Sequence, residues 1–153
     1  MAKVKMIDIS EKPVIVREAV AEGTILLRPE TLKKIREGRI EKGDVESVAT
    51  VAAILAAKNT PNIVPLCHPI PLHSVDVQFS YGDNSVTVRV TVKTKAETGV
   101  EMEALTAVSA ALLAVWDMVK KYEKDEKGQY PITRIENIRV VRKEKRVLTE
   151  KHV

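Results

Sequence analysis

Residues 98–121, TGVEMEALTAVSAALLAVWDMVKK, form the longest stretch of this chain in which apolar residues keep a helical period. Leu105, Val108, Leu112, Val115 and Val119 recur at steps of three or four, and Ala104, Ala107, Ala110, Ala111 and Ala114 keep much of the remaining surface small. A helix so apolar has to be covered on more than one side, so the rest of the fold must be built around it. Thr98 followed by Glu101 has the spacing of a capping box, in which the two side chains satisfy backbone donors left open by the first turn. The helix is therefore expected to start there.

Asp117 is the one carboxylate between Ala104 and Tyr122, with Lys120 one turn further on. Residues three apart share a helix surface, so a carboxylate and an ammonium can face one site. The plainer alternative is an ion pair of Asp117 with Lys120 or Lys121 near the helix end. Glu103, Thr106, Ala110, Leu113, Asp117 and Lys120 fall on one arc of about 100°, yet Glu103 and Asp117 stand about 21 Å apart along the axis at about 1.5 Å per residue. One small ligand cannot touch both on one helix; either the ligand is long or the site combines two subunits.

A chain of 153 residues with 44% hydrophobic content suits a single domain with a real core. The segment before Pro13 is polar and short, without the apolar run of a signal peptide or membrane span, which leads us to expect a cytoplasmic protein with no membrane partner. The single cysteine, Cys67, rules out an intrachain disulfide. A formal charge of +4 suits an anionic small molecule or a nucleic acid, but one Phe, three Tyr and one Trp leave few stacking platforms for single strands.

Residues 1–12 read as a mobile or peripheral arm. From Pro13 to Leu27 a loose alternation around Gly23 fits one bent strand or a short hairpin. Pro29 opens a short helix that Gly38 ends, and Asp44 is placed to cap a second helix carrying Val45, Val48, Ala52 and Leu55. Lys42 lies on the turn just before it, where an ammonium and exposed helix amides together favour an anion. Alternation over Val75–Tyr81 and Ser85–Lys95 about Gly82-Asp83-Asn84 is a hairpin. After the long helix a last strand is expected over Ile132, Ile135, Ile138 and Val140, with 142–153 as a solvated, mobile end. The order β-α-α-β-β-α-β predicts an α+β fold: a ferredoxin-like antiparallel sheet with helices on one face, plus one extra N-terminal helix.

Pro61 to Pro71 reads PNIVPLCHPIP, and its four prolines predict a stiff, extended loop that presents Cys67 and His68. Both can equally be buried packing residues. Cys67, His68 and His73 lack paired zinc-ligand spacing, so no metal site is expected. A Cys–His nucleophilic pair is disfavoured because neighbours on an extended chain point to opposite sides.

KGDV at 42–45, LCHPIPL at 66–72, TGVEMEALTA at 98–107 and WDMVKK at 116–121 together resemble the cyclic pyranopterin monophosphate synthase family, that of molybdenum cofactor biosynthesis protein C. The resemblance runs over roughly residues 6–141. It implies a lyase that converts 3′,8-cyclo-7,8-dihydroguanosine 5′-triphosphate to cyclic pyranopterin monophosphate and releases pyrophosphate. It implies Asp117, Lys120 and Lys42 as catalytic residues, and Leu66, Cys67, His68, Met102 and Glu103 as substrate-binding ones. It also implies a ferredoxin-like domain assembled as a homohexamer, a trimer of dimers, with sites at a subunit interface. No resident cofactor follows from it, although Mg²⁺ can accompany the triphosphate. One departure is that the family commonly ends in a glycine-rich, lysine-containing tail, whereas this chain continues RKEKRVLTEKHV, with Lys143, Lys145 and Arg146 as the charges nearest that place.

The competing class is a nucleic-acid-binding module, since ferredoxin-like sheets often read RNA. Such a reader needs aromatics on its central strands, and only Phe79 and Tyr81 come near that place.

Overall fold

The computed structural model describes residues 3–147. Its elements are β1 (Ile15–Leu26), α1 (Pro29–Arg36), α2 (Val45–Lys58), α3 (Thr60–Ile63), β2 (Ser74–Tyr81), β3 (Ser85–Ala96), α4 (Glu101–Glu123) and β4 (Arg134–Arg146). The four strands form one antiparallel sheet in the order β2-β3-β1-β4. That is the ferredoxin-like α+β arrangement expected from the element order, with α1, α2 and the single turn α3 all inside the first crossover.

Helices cover one sheet face and leave the other to charge. Val86, Val88, Val90 and Val92 of β3 and Ala19, Ala21 and Ile25 of β1 point into the core against Val108, Leu112, Val115 and Val119 of α4. Full burial of each such valine, leucine or isoleucine stabilises by roughly 1.5–3 kcal/mol as an upper bound. On the open face Glu22 bridges Arg89 and Arg139 at 3.0 and 3.1 Å, and Glu18 bridges Arg142 and Lys93 at 3.1 and 3.9 Å. Such exposed pairs contribute little each, but they keep the uncovered sheet face polar. The long apolar helix reaches a mean hydropathy of 1.5, enough in length and composition to cross a bilayer, yet half of that window is buried in the fold.

α4 can lie this close to the sheet because β1 carries Gly23. A Cβ there would stand 2.9 Å from side-chain atoms of Val108, Leu112 and Ile138. The β1–β4 register shifts at the same point, between Glu22 and Thr24, and Asn137 opposite takes a left-handed φ of 59°. The extra residue on β4 is a bulge that turns Ile138 toward the glycine.

Several local expectations are corrected. α4 starts at Glu101 with Val100 as its N-cap and without a side-chain cap bond, so Thr98 and Glu101 do not form a capping box. The reason is that Glu101 turns instead to Lys143, 2.7 Å from its Oε1. Pro61 to Pro71 is not extended throughout: Pro61 sits in the first turn of α3, and Cys67 N donates to Val64 O at 3.1 Å, closing a turn before the straighter run after His68. β4 begins at Arg134, leaving Ile132 outside it, and continues to Arg146 against Val16. Residues 142–146 are therefore strand, while the rest of the predicted tail from 148 onward, like Met1 and Ala2 of the arm, lies outside the described residues.

At the far end of α4, Glu123 is fully buried and collects the loose ends of three segments. Its carboxylate accepts from Arg28 N at 3.2 Å, from Thr133 Oγ1 at 2.7 Å and from Thr31 Oγ1, while the Arg28 guanidinium donates to its carbonyl at 3.3 Å. A carboxylate from one helix thus caps the first turn of another, where α1 has no cap bond from its own N-cap side chain.

Candidate functional site

The first cluster forms where the turn before α2 meets the C-terminal half of α4. Gly43 adopts φ 120°, a conformation open to glycine, and reverses the chain so that Asp44 can cap α2 by accepting from Ser47 N at 2.9 Å. Glu41 N donates to the Tyr122 hydroxyl at 3.0 Å, and the Glu41 carboxylate pairs with Lys121. Between these anchors Lys42 Nζ reaches Asp117, donating to its main-chain oxygen at 3.0 Å and to Oδ2 at 3.1 Å. Lys120 Nζ lies 3.2 Å from Oδ1.

Asp117 is thus held by two ammoniums. Hydrogen bonds from Lys42 and then Lys120 keep its carboxyl below the ordinary aspartate range. At neutral pH it is a carboxylate held between two ammonium groups. Of the two lysines weighed as its helical partners, Lys120 pairs with it and Lys121 does not. The anion pocket expected between Lys42 and the α2 amides is not formed, because the Asp44 carboxylate occupies that helix end and Lys42 turns away to Asp117.

The second cluster gathers at the other end of α4. Glu103 is 2% exposed, its Oε2 lies 3.7 Å from Cys67 Sγ, and its Oε1 has no hydrogen-bond partner. Burial pushes the Glu103 carboxyl above the ordinary glutamate range. Burial likewise raises the Cys67 thiol, and the Glu103 charge adds to it, so this thiol is a poor nucleophile at neutral pH. His68 turns the other way, with Nε2 2.6 Å from the main-chain oxygen of Ile7. Leu66 and Met102 remain exposed at 44% and 40%.

Two residues at this end carry no distinctive spacing in the sequence. Arg17 is 5% exposed and donates to Ala96 O at 3.1 Å and Glu97 O at 3.2 Å, fixing the chain that enters α4. Lys143 forms an ion pair with Glu101, although Glu101 Oε1 lacks hydrogen-bond alignment with it. Burial works against the Glu101 carboxylate, but Lys143, the residue's own backbone N–H and then the Arg17 charge outweigh it and bring the group below its ordinary range. Arg17 comes from β1 and Lys143 from β4, and only strand pairing brings them beside α4.

The two clusters are separated along α4 by about 21 Å. The fold joins Lys42, Asp117 and Lys120 in one place, joins Cys67 and Glu103 in another, and does not bring the two together in one chain. Their carboxyls are shifted in opposite directions, Glu103 upward by burial and Asp117 downward by its two lysines. Among the described residues, no three His, Cys, Asp or Glu side chains converge as metal ligands. Phe79 and Tyr81 lie on the edge strand β2 and pack against the core, so they do not offer a stacking surface on the open sheet face.

A family model described as the MoaC family matches residues 6–146. The chain is 58% identical over 142 residues to a protein of Pyrococcus horikoshii named probable cyclic pyranopterin monophosphate synthase, covering 93% of this chain and 89% of that one. It is 58% identical over 143 residues to the protein of the same name from Sulfurisphaera tokodaii, covering 94% and 95%. A relative from Methanothermobacter thermautotrophicus, 58% identical over 142 residues and covering 93% and 89%, is named probable cyclic pyranopterin monophosphate synthase accessory protein.

Proposed function

Since the chain belongs to the MoaC family, we propose that it is a cyclic pyranopterin monophosphate synthase, a lyase of molybdenum cofactor biosynthesis. Its substrate is 3′,8-cyclo-7,8-dihydroguanosine 5′-triphosphate, and its products are cyclic pyranopterin monophosphate and pyrophosphate. The observation that carries this reading is the geometry of the family's motifs in this fold, with Asp117 held between the Lys42 and Lys120 ammoniums and Glu103 buried beside Cys67.

Opening the purine ring requires addition of water and transfer of protons to and from ring nitrogens. Asp117 takes a proton, and Lys42 and Lys120 return protons and hold negative charge. Glu103, more readily protonated than an ordinary glutamate, donates to the ring and orients it. In the phosphoryl step a sugar-derived hydroxyl oxygen bonds to the α-phosphorus as the bond to the pyrophosphate oxygen breaks. Ammonium groups and His68 stabilise the departing charge. Leu66, Cys67 and Met102 line the substrate pocket. The proposed chemistry needs no resident cofactor, and Mg²⁺ can accompany the triphosphate.

The working unit in this proposal is a homohexamer, a trimer of dimers, in the cytoplasm. One observation and one geometric argument support the pairing of chains. Val48, Val51 and Leu55 of α2 and Met102 and Leu113 of α4 are apolar yet exposed on the helix layer. An antiparallel apposition of two α4 helices would also set the Glu103 end of one chain against the Asp117 end of its partner, removing the 21 Å separation. An anaerobic assay with the cyclised nucleotide tests the function: pyrophosphate and a pterin precursor should appear in equal amounts, and absence of both would overturn it.

A further inference from the structure

The histidine of the LCHP loop is held by a segment whose sequence reads as a peripheral arm. His68 Nε2 and the Ile7 carbonyl oxygen are 2.6 Å apart. A carbonyl oxygen can only accept, so Nε2 carries the hydrogen. In a neutral imidazole the lone pair then resides on Nδ1.

The carbonyl is itself fixed locally. Ser10 N donates to Asp8 Oδ1 at 2.8 Å and Lys12 N donates to Ile9 O at 3.0 Å, folding residues 8–12 into a turn immediately after Ile7. Met6 through Ser10, His68 and Glu97 frame a cavity of about 450 Å³. Glu97 belongs to the same short link into α4 that Arg17 secures through the Ala96 and Glu97 carbonyls. The arm, the loop and the start of α4 therefore meet at one place.

We propose that residues 6–10 are a built-in wall of the substrate site, in which the Ile7 carbonyl holds neutral His68 as its Nε2–H tautomer and leaves Nδ1 to meet the substrate. This rests on His68 belonging to the site proposed above. Ile7 acts as a positioning residue through its main chain. Nδ1 accepts a proton from a substrate O–H or N–H when the ring is neutral, and donates one to a phosphate oxygen when the ring is charged. A ring free to rotate would divide its population between tautomers and orientations.

The test is spectroscopic first. The chain holds three histidines, so protein labelled in its histidine nitrogens gives few signals, and His68→Gln identifies the relevant one. Magic-angle-spinning NMR at about pH 8, where an ordinary imidazole is neutral, should show protonated Nε2 and bare Nδ1 for His68. Deleting residues 2–9, or replacing Asp8 by Ala to loosen the turn, should mix the tautomers and lower kcat by at least about tenfold while KM and Tm change less. A parent that turns over normally with His68 protonated at Nδ1 overturns this inference alone, as does a deletion variant with parental kcat. A parent that neither binds nor converts the cyclised nucleotide overturns the functional reading and this inference with it.

Discussion

Lys42 Nζ lies 3.1 Å from Asp117 Oδ2 within one chain, although the two residues are 75 positions apart. The contact decides between two arrangements that family resemblance leaves open, in which Lys42 reaches Asp117 from its own chain or from a neighbour. The lysine on the loop and the carboxylate on the helix therefore meet within one chain, and the site proposed above takes both from the same subunit, with the Glu103 end of α4 supplied in that proposal by its neighbour.

Asp117→Asn keeps the shape of the side chain and removes the base. Because Asp117 is exposed and holds no core contact, the variant should fold and assemble as the parent does, with turnover reduced at least about a hundredfold. Steady-state kinetics beside a thermal melt checks both halves. Turnover within about twofold of the parent would return Asp117 to the status of a surface ion pair.

Subunit mixing distinguishes the two clusters. Glu103→Gln mixed with Asp117→Asn should regain part of the parental activity, because one of the two sites in a mixed dimer then has both halves intact. Lys42→Ala mixed with Asp117→Asn should regain none, since both lesions fall in the same half-site. The opposite pattern, with subunit exchange verified by mass spectrometry, would remove the basis for a shared site.

Glu103 also predicts a pH dependence of stability. Its folded pKa is raised by burial, so between the unfolded and folded values the native state holds a proton that the unfolded chain has released. Stability contributed at this position is full below the unfolded pKa and falls as pH rises through the folded one. Glu103→Gln, neutral throughout, should melt at or above the parental temperature at about pH 7, with the difference shrinking toward about pH 4. A variant less stable at pH 7 than at pH 4, relative to the parent, contradicts the assignment.

Gly23→Ala tests the seat of α4. The added carbon would press on Val108, Leu112 and Ile138 at 2.9 Å, so the helix or the bulge must shift. A cost of about 1–3 kcal/mol is expected, or roughly 2–12 °C in Tm for a chain of this size. An unchanged melt would show that α4 does not need the glycine.

Much of this architecture is legible in the amino-acid order because it follows from local periodicity. The 3.6-residue recurrence of Leu105, Val108, Leu112, Val115 and Val119 marks α4, and the alternation of Val86, Val88, Val90 and Val92 marks β3. The same spacing places Glu103 and Asp117 on one arc and too far apart for one small ligand, which leaves either a long ligand or a site combining two subunits. Residue types and motifs likewise single out Lys42, Cys67, His68 and Lys120.

Other features depend on which distant segments the sheet brings together, and no local pattern encodes those. Lys42 could as well have served the α2 amides, but Asp44 fills that helix end and Asp117 lies within reach. Thr98 and Glu101 had the spacing of a cap, and the β1–β4 pairing instead brought Lys143 to Glu101. Arg17, Glu123 and the Ile7 carbonyl looked ordinary in sequence. Their roles come from donors and acceptors on other elements: buried Arg17 and Glu123 take their meaning from the partners that satisfy them, and the exposed Ile7 carbonyl from the imidazole brought to it. Chain order determined the elements and the chemistry available on them; the packing of α4 against β1, with Gly23 beneath it, decided which of those groups could meet.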